Sequence, residues 1–198
     1  ADIAANHDGD INRAKQLILL AKNAGADAVK MQHHNCKKYV SDFGFKQLGT
    51  KQSHQSQWDK SVFDIYKDAE VPLDWTPILK EYSDEIGIEF FSTPYDLDMI
   101  DHIDPYVNAY KIGSGDLNWD EMLIRIAKKN KPVLIASGAC NIGEVQHAIE
   151  TLQKHTSQII LFQCNTNYTG SIENLKYINL NVLKTYGTMF PNVILGLS

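Results

Sequence analysis

Short runs of apolar residues recur along the chain, each followed by a polar or glycine-containing tail and then by a longer amphipathic stretch. The runs occupy residues 1–4, 26–32, 88–94, 108–115, 132–138, 158–165 and 192–198. Their apolar residues are continuous rather than alternating, which is typical of strands that are covered on both faces in a parallel sheet. The pattern therefore predicts seven parallel strands.

The amphipathic segments between these runs predict helices. Residues 11–24 place Ala14, Leu17 and Ile18 at helical spacing, and residues 142–154 repeat this pattern. Asp10 stands where the first of these helices would be capped. Strands that follow one another at intervals of about 20 to 35 residues are expected for βα units.

One polar connection, from about residue 37 to residue 70, is much longer than the others, and a helix is predicted over residues 58–69 within it. Connections of this length are uncommon and are usually functional or flexible.

Seven βα units fit either a doubly wound sheet or most of a (β/α)8 barrel. Almost every predicted strand ends in side chains capable of chemistry: Lys30 and Gln32, Ser92 and Thr93, Lys111 and Ser114, Ser137, Gln163 and Asn165, and Ser198. A barrel gathers side chains from many strand ends at one mouth, whereas an open sheet concentrates its ligand at one switch point. The sequence therefore favours an α/β fold of the TIM-barrel class with about seven of the eight strands. We expect residues 1–198 to be one barrel domain, incomplete at both ends, from a longer polypeptide.

Composition narrows the class of protein. The chain has 198 residues, 43% of them hydrophobic, and a formal net charge of -5. This acidic balance argues against a nucleic-acid or anionic-membrane partner, and the apolar runs are too short to span a bilayer. Three cysteines without a CxxC pair argue against a disulfide framework. We therefore expect a cytoplasmic protein.

Two lysines, Lys30 and Lys111, lie inside apolar strands, where an ammonium group is costly unless a partner compensates it. Each could simply extend its charge from a strand end into water. With the hydroxyls of Thr93, Ser114 and Ser137, however, they combine the positive charge and short donors that recognise phosphate and carboxylate. The sequence thus predicts an anion site.

Other polar residues near the strand ends allow two interpretations. Asp2 and Asp116 could each act as a general base or orient a hydroxyl-rich substrate, or could be ordinary solvated carboxylates. Tyr168 could line a sugar pocket or be structural, and Asn6 lies in a turn that would face the barrel mouth. No histidine spacing typical of a metal site occurs, so we expect none within this chain.

The segments IAANHDGD, AGADAVKMQ, FFSTPYD, YKIGSGD, IASG and GLS, in this order, resemble the N-acetylneuraminate (sialic acid) synthase family, which includes legionaminate and pseudaminate synthases. The resemblance implies a TIM barrel that condenses phosphoenolpyruvate with an N-acetylated amino-sugar aldehyde, such as N-acetylmannosamine. The products would be a nonulosonic acid and phosphate, released by C–O cleavage. It also implies a divalent metal, Mn²⁺ or Mg²⁺, and a homodimer.

The resemblance also assigns roles to individual residues. It implies that Lys30 and Lys111 bind phosphoenolpyruvate, Thr93 and Ser114 its carboxylate, Ser198 its phosphate, and that Gln32 and Tyr168 line the sugar site. We accordingly predict Asp2, Lys30 and Lys111 as catalytic residues. The predicted substrate-binding residues are Asn6, Gln32, Thr93, Ser114, Asp116, Ser137, Asn165, Tyr168 and Ser198.

The chain departs from the family's pattern at several positions. Asp2 and Asp116 stand where the family usually has Glu, and residues 136–138 read Ala-Ser-Gly where Ser-Thr-Gly is common. Asn165 precedes Thr166, the reverse of the family's order. These changes leave the identity of the amino sugar open.

By the same resemblance, the metal-binding histidines and a C-terminal antifreeze-like domain would follow Ser198. Two other functions fit the residues: a Schiff-base aldolase using Lys30 or Lys111, and a noncatalytic sugar-binding barrel.

Overall fold

The structure is a computed structural model that describes residues 1–48, 55, 58–168 and 171–198. The chain forms two compact units, Ala1–Asn108 and Ala109–Ser198. No helix in the described part of the chain combines the length and the apolar character needed to cross a bilayer.

The first unit contains three parallel strands that pair in chain order. They are β1 (Asp2–Ala4), β2 (Ala28–His33) and β3 (Glu89–Pro94). In this register Asp2 lies beside Lys30, and Gln32 lies beside Thr93. The two strand ends of this unit that the sequence marked as polar, those of β2 and β3, are thus neighbours, and Asp2 lies beside them on β1.

Helices follow each strand of this unit. Within its described residues they are α1 (Ile11–Asn23), α2 (Cys36–Tyr39), α3 (Asp42–Leu48), α4 (Val62–Asp68), α5 (Trp75–Glu85) and α6 (Leu97–Ile103), with a 3-10 turn at Asp104–Tyr106. Asp10 caps α1 as predicted, because its carboxylate accepts a hydrogen bond from the Asn12 amide at 2.8 Å. The helix predicted over residues 58–69 is shorter. It begins only after Ser61, whose hydroxyl accepts from the Asp64 amide.

The second unit contains four parallel strands, also paired in chain order. They are β4 (Tyr110–Ile112), β5 (Val133–Ala136), β6 (Ile159–Gln163) and β7 (Ile194–Leu197). Its helices among the described residues are α7 (Asp120–Ala127), α8 (Ile142–Gln153) and α9 (Val182–Met189), with 3-10 turns at Ser114–Asp116 and Ile172–Tyr177. Asn141 and Glu144 form a capping box at the start of α8.

The strand order separates the two fold classes left open by the hydrophobic pattern. A doubly wound sheet reverses its strand order at a switch point, whereas consecutive barrel strands are neighbours. In each unit, every strand pairs with the next one along the chain. The observed order is that of a (β/α)8 barrel.

Alternation along each strand divides the side chains between two faces. On β2, Val29, Met31 and His33 are fully buried, while Lys30 and Gln32 share the other face and are only partly covered. In the second unit the buried face contains Val133, Ile135, Ile159 and Leu161. Burying side chains of this size stabilises the fold by about 1.5–3 kcal/mol each. The core therefore fixes which residues remain on the opposite face.

A buried chain of hydrogen bonds joins β2, β3, α5 and α6 in the first unit. His33 Nδ1 lies 2.7 Å from Ser92 Oγ, and His33 Nε2 lies 2.9 Å from Thr76 Oγ1, which is 3.0 Å from His102 Nε2. Ser92 donates its own proton to the Met31 carbonyl, so it accepts from His33 Nδ1, and Thr76 then donates to His33 Nε2. This arrangement requires neutral His33. Burial, and then the neighbouring His102, His34 and His7, lower its pKa to about 3.

We expect His33 to make the stability of the protein depend on pH. The unfolded chain takes up a proton on this residue below about pH 6.5, whereas the folded protein resists uptake until about pH 3, so acid shifts the equilibrium toward unfolding. Urea unfolding should show His33→Ala destabilised by about 2–4 kcal/mol at pH 7, because Ser92 and Thr76 lose their partner. The difference from wild type should shrink at pH 5.

The matched control is the exposed His155, whose replacement by Ala should change the unfolding free energy by less than about 0.5 kcal/mol. A difference between wild type and His33→Ala that is constant from pH 7 to pH 5 would contradict the assignment of a neutral His33.

The turns after β4, β5 and β6 meet around Gly138. The Gly138 amide donates to Ser114 Oγ at 3.0 Å. A Cβ atom on Gly138 would lie 2.4 Å from Thr166 Cγ2, 2.8 Å from Ser114 Oγ and 3.2 Å from the Cys164 carbonyl oxygen. Only a residue without a side chain permits this approach.

Replacing Gly138 with Ala should therefore separate these turns and lower the unfolding free energy by about 1–3 kcal/mol. Gly115→Ala is the control, since a Cβ there would meet no atom within 4 Å. Chemical denaturation of both variants measures the effect. Equal stability of the two would show that the turns can separate freely.

Candidate functional site

In the first unit, Lys30 and Asp2 form an ion pair on neighbouring strands. Lys30 Nζ lies 2.9 Å from Asp2 Oδ1, and their side chains are 11% and 57% exposed. The strand register places both residues on the same face, where their side chains can meet. Two of the three predicted catalytic residues are thus in direct contact.

Gln32 and Thr93 lie side by side at the ends of β2 and β3. Gln32 Nε2 donates to the Tyr95 hydroxyl at 3.1 Å, and the Tyr95 amide donates to the His33 carbonyl at 2.9 Å. Tyr95, which the sequence did not single out, therefore orients Gln32. Thr93 is buried.

Asn6 lies in the turn after β1 and is held by hydrogen bonds to Ile3 of β1 and Arg13 of α1. Its side-chain nitrogen Nδ2 donates to the Ile3 carbonyl at 3.0 Å, and its backbone carbonyl accepts from Arg13 Nε at 3.1 Å. His7, next to it, is buried with its ring edge toward Trp75, and burial lowers the pKa of the imidazole. Asn6 lines a cavity, whereas His7 does not.

That cavity has a volume of about 730 Å³ and lies entirely within the first unit. Asn6 and Gln32 line it together with His34, Trp58 and Tyr66. Asp8, Lys60 and Asp68 add charges to its wall. Amide groups beside aromatic faces suit a polar organic ligand.

His34, Trp58 and Tyr66 were not predicted as site residues. His34 Nε2 donates to the Tyr66 carbonyl at 2.8 Å, which fixes the imidazole against α4. Trp58 precedes α4 rather than lying within it, and it lines the cavity as well as packing beside Cys36, Val40 and Val62. The one signal for these residues in the sequence is the length of the polar connection.

In the second unit, Lys111 is the central charged group. It is only 9% exposed, and its neighbours Tyr110 and Ile112 are fully buried. Lys111 Nζ donates a long hydrogen bond to the Ile112 carbonyl at 3.4 Å and lies over the Phe162 ring, 5.4 Å from the centroid. A carbonyl and an aromatic face are thus among the groups that contact the ammonium group.

Ser114 and Asp116 lie in the 3-10 turn directly after β4. Ser114 Oγ accepts from the Gly138 amide, so its proton can be donated to a ligand. Burial raises the pKa of the Asp116 carboxyl to about 6. A carboxyl group with this pKa can both give and take a proton near neutral pH.

Ser137 directly follows β5, and its amide continues the strand pairing by donating to the Phe162 carbonyl at 3.0 Å. It therefore lies on the face opposite Leu134 and Ala136, and Leu134 is the residue beside Lys111. Its hydroxyl donates to the Phe162 carbonyl at 3.0 Å and accepts from the Tyr186 hydroxyl at 3.0 Å. Alternation of the strand therefore does not bring Ser137 together with Lys111. Ser137 would have to leave the Phe162 carbonyl before it could donate to a phosphate.

The remaining predicted residues follow β6 and β7. Asn165 is held by its own loop, because its side chain donates to the Asn174 carbonyl at 3.1 Å and accepts from the Asn167 amide at 2.9 Å. Tyr168 is 74% exposed, and Ser198 is exposed with its amide bonded to the Gln163 carbonyl at 2.9 Å.

A second cavity, of about 530 Å³, lies within the second unit. Ser137 and Asn165 line it together with Cys140, Gln163 and Tyr186. These two predicted residues therefore share a cavity, and both have hydrogen-bond partners in the protein.

One alanine at each cavity has a left-handed backbone. Ala4 lines the first cavity with a φ of 52°, and Ala139 lines the second with a φ of 58°. Such a conformation costs a residue with a Cβ atom about 1–2 kcal/mol. The chain is thus held in strained conformations at the ends of β1 and β5.

Among the side chains that the structure describes, no group of three or more His, Cys, Asp or Glu is arranged to hold an ion. These described residues therefore do not fit a divalent metal site.

Comparison with known proteins identifies the family. The NeuB family model matches residues 17–198. An uncharacterized protein of Methanocaldococcus jannaschii is 35% identical over 100% of this chain and 53% of its own length. The N,N'-diacetyllegionaminic acid synthase of Legionella pneumophila is 31% identical over 96% of this chain and 54% of that enzyme. The chain therefore spans about half the length of these curated relatives.

A solved structure agrees with the fold. The crystal structure of N-acetylneuraminic acid (sialic acid) synthetase from Leptospira borgpetersenii, in complex with citrate, matches with a TM-score of 0.84 and 25% identity. The match covers 100% of this chain and 62% of that one. With the sequential strand order, it confirms the predicted TIM-barrel class. The chain belongs to the NeuB family, as its strand-end motifs predicted.

Proposed function

We propose that this chain supplies the barrel of an enzyme that condenses phosphoenolpyruvate with an N-acetylated amino-sugar aldehyde to give a nonulosonic acid and phosphate. The observation that carries the proposal is Lys111, an ammonium group 9% exposed in an apolar strand of a NeuB-family chain. Relatives named as legionaminic and sialic acid synthases support this class of product.

Phosphoenolpyruvate presents a carboxylate and a phosphate, so its site needs positive charge and hydrogen-bond donors. Lys111 supplies the charge in the second unit, and Ser114 retains a proton to donate. Lys30, which is paired with Asp2 within the first unit, is proposed as a second ammonium group on the basis of the family resemblance. Thr93 and Ser198 are proposed as further contacts on the basis of the family resemblance.

In the proposed reaction, the methylene carbon of phosphoenolpyruvate forms a bond to the aldehyde carbon of the open-chain sugar. Water adds to the other alkene carbon, and the C–O bond to phosphate breaks. The water loses both protons as its oxygen becomes the ketone oxygen of the product: one ends on the former aldehyde oxygen and the other on the released phosphate. Asp116, whose pKa is raised to about 6, is proposed to transfer a proton, and Asp2 is the second candidate. The Mn²⁺ or Mg²⁺ implied by the resemblance remains a prediction.

The first cavity suits the sugar. Its volume of about 730 Å³ lies in the range of roughly 300–1,000 Å³ typical of small-molecule sites. Asn6 and Gln32 provide amides for hydroxyl and N-acetyl groups, while Trp58 and Tyr66 provide aromatic faces. Tyr168 is proposed as a further contact from the resemblance, and Asn165 is proposed as a substrate-binding residue because it is a polar residue that follows β6. A homodimer and a cytoplasmic location are likewise predictions of the resemblance.

The direct test is phosphate release from phosphoenolpyruvate by the complete native polypeptide, with a panel of N-acetylated hexosamines, first with manganese and then with chelator. We expect release that requires both a sugar and the metal. Lys111→Ala should reduce kcat/KM for phosphoenolpyruvate by roughly a hundredfold or more, because a buried charged partner of the anion is removed.

Lys184→Ala is the control, since this lysine is exposed on α9. No release with any sugar from a folded protein that still binds sugar would favour the noncatalytic barrel. Borohydride trapping of a substrate on Lys30 or Lys111 would favour the Schiff-base aldolase. Either result contradicts the proposed reaction.

The sugar assignment has its own test. Gln32→Ala should raise KM for the sugar about two- to tenfold, the effect of losing one hydrogen bond, and leave KM for phosphoenolpyruvate unchanged. Tyr95→Phe should act in the same direction but less strongly, because it only frees Gln32. A change confined to the phosphoenolpyruvate KM would place Gln32 in the anion site instead.

A further inference from the structure

Phe162 stands between two residues with little or no side chain. On neighbouring strands of the second unit, Ala136 pairs with Phe162, and Phe162 pairs with Gly196. Residues paired in this way point to the same face of a parallel sheet. This face also contains Leu134, the residue beside Lys111 on β5.

The Phe162 ring occupies the space that a side chain on Gly196 would fill. A Cβ atom on Gly196 would lie 2.7 Å and 2.8 Å from two carbons of the ring. Protein Cβ atoms do not approach other atoms so closely, so any other residue at position 196 would push the ring away. The position of the ring thus depends on Gly196.

The Phe162 ring also contacts Lys111. Its ammonium nitrogen lies over the ring, 5.4 Å from the centroid, within the distance of about 6 Å at which the negative face of an aromatic ring attracts a cation. Lys111 is on β4 and Phe162 is on β6. On the strand between them, Leu134 lies beside Lys111, and Ala136, beside Phe162, has only a methyl group. The ring can therefore reach the ammonium group across β5.

We propose that Phe162 is a positioning residue that holds the Lys111 ammonium group for anion binding, and that Gly196 is required because it leaves room for the ring. This inference rests on the proposed function of Lys111. The geometry demands an aromatic face at position 162, not merely an apolar side chain. An aromatic face is what distinguishes positioning from ordinary packing.

Three variants of the complete native polypeptide separate the possibilities. Phe162→Leu keeps an apolar side chain and removes the aromatic face, Phe162→Tyr keeps that face, and Gly196→Ala displaces the ring. Calorimetric titration with phosphoenolpyruvate gives the affinity. NMR of protein labelled with ¹³C at lysine Cε gives an independent measure of the ring's position, because the ring current of Phe162 shifts the Lys111 Hε resonance. The Lys111 resonance is assigned as the one that disappears in Lys111→Arg.

We expect Phe162→Leu and Gly196→Ala to weaken phosphoenolpyruvate binding roughly two- to fivefold, the range of a partly exposed cation–π contact, and to lose the ring shift of Lys111. Phe162→Tyr should retain both. Equal affinities in the Leu and Tyr variants, or an unchanged Lys111 resonance in Phe162→Leu, would overturn the inference while leaving the proposed function intact.

Wild-type protein that shows the ring shift but does not bind phosphoenolpyruvate would have a different meaning. It would contradict the proposed function, and the positioning role for anion binding would fall with it. If Phe162→Leu does not fold, as judged by circular dichroism, the comparison of Gly196→Ala with Phe162→Tyr decides the question.

Discussion

An ammonium group inside an apolar strand must be given partners, and much of this structure follows from that constraint. Moving a charge out of water costs several kcal/mol unless nearby groups compensate it. The two strand lysines meet this requirement differently. Lys30 forms an ion pair with Asp2 on the neighbouring strand, whereas Lys111 has the Ile112 carbonyl and the face of Phe162.

The period of two along each strand decides which residues can act together. Gln32 and His33 are neighbours in sequence, yet Gln32 lines the cavity of the first unit while His33 is buried in a neutral hydrogen-bond chain with Ser92 and Thr76. Ala136 and Ser137 differ in the same way. Ala136 leaves space beside Phe162, and Ser137 bonds to Tyr186 behind it. In each pair, the two residues lie on opposite faces. Gln32 and Ala136 lie on the face of the strand lysines, and His33 and Ser137 form hydrogen bonds within the protein on the other face.

The sequence predicted those features that depend on local pattern. Continuous apolar runs identified the seven strands found among the described residues, and the Asp10 cap was predicted because its partner is two residues away. The predicted strand over residues 108–115 was too long, since the Asp116 amide bonds to the Gly113 carbonyl and turns the chain after Ile112. Residue order alone does not show where such a bond replaces strand pairing.

The site was predicted less completely, because the order of residues shows local pattern but not the contacts between distant parts of the chain. Lys30 and Gln32 share a strand face, which a two-residue spacing predicts. Tyr95 contacts Gln32 from 63 positions away, and Tyr186 contacts Ser137 from 49 positions away. Such contacts exist only once the strands have paired. The aromatic wall of the first cavity comes from the long connection and α4, where composition indicated only a polar segment.

The two units present chemically different surfaces, and this difference bears on substrate choice. The strand face of Lys111, with Ser114 after its strand, offers positive charge and a hydroxyl donor, as a phosphorylated carboxylic acid requires. The first cavity offers the amides of Asn6 and Gln32 beside Trp58 and Tyr66, as a largely uncharged sugar requires. Under the proposed function the anion is the invariant substrate and the amino sugar is the variable one. Differences in sugar preference should therefore arise from those residues of the cavity wall, such as Trp58 and Tyr66, that lie in the long connection between β2 and β3. Strand pairing does not constrain the length or the sequence of this connection.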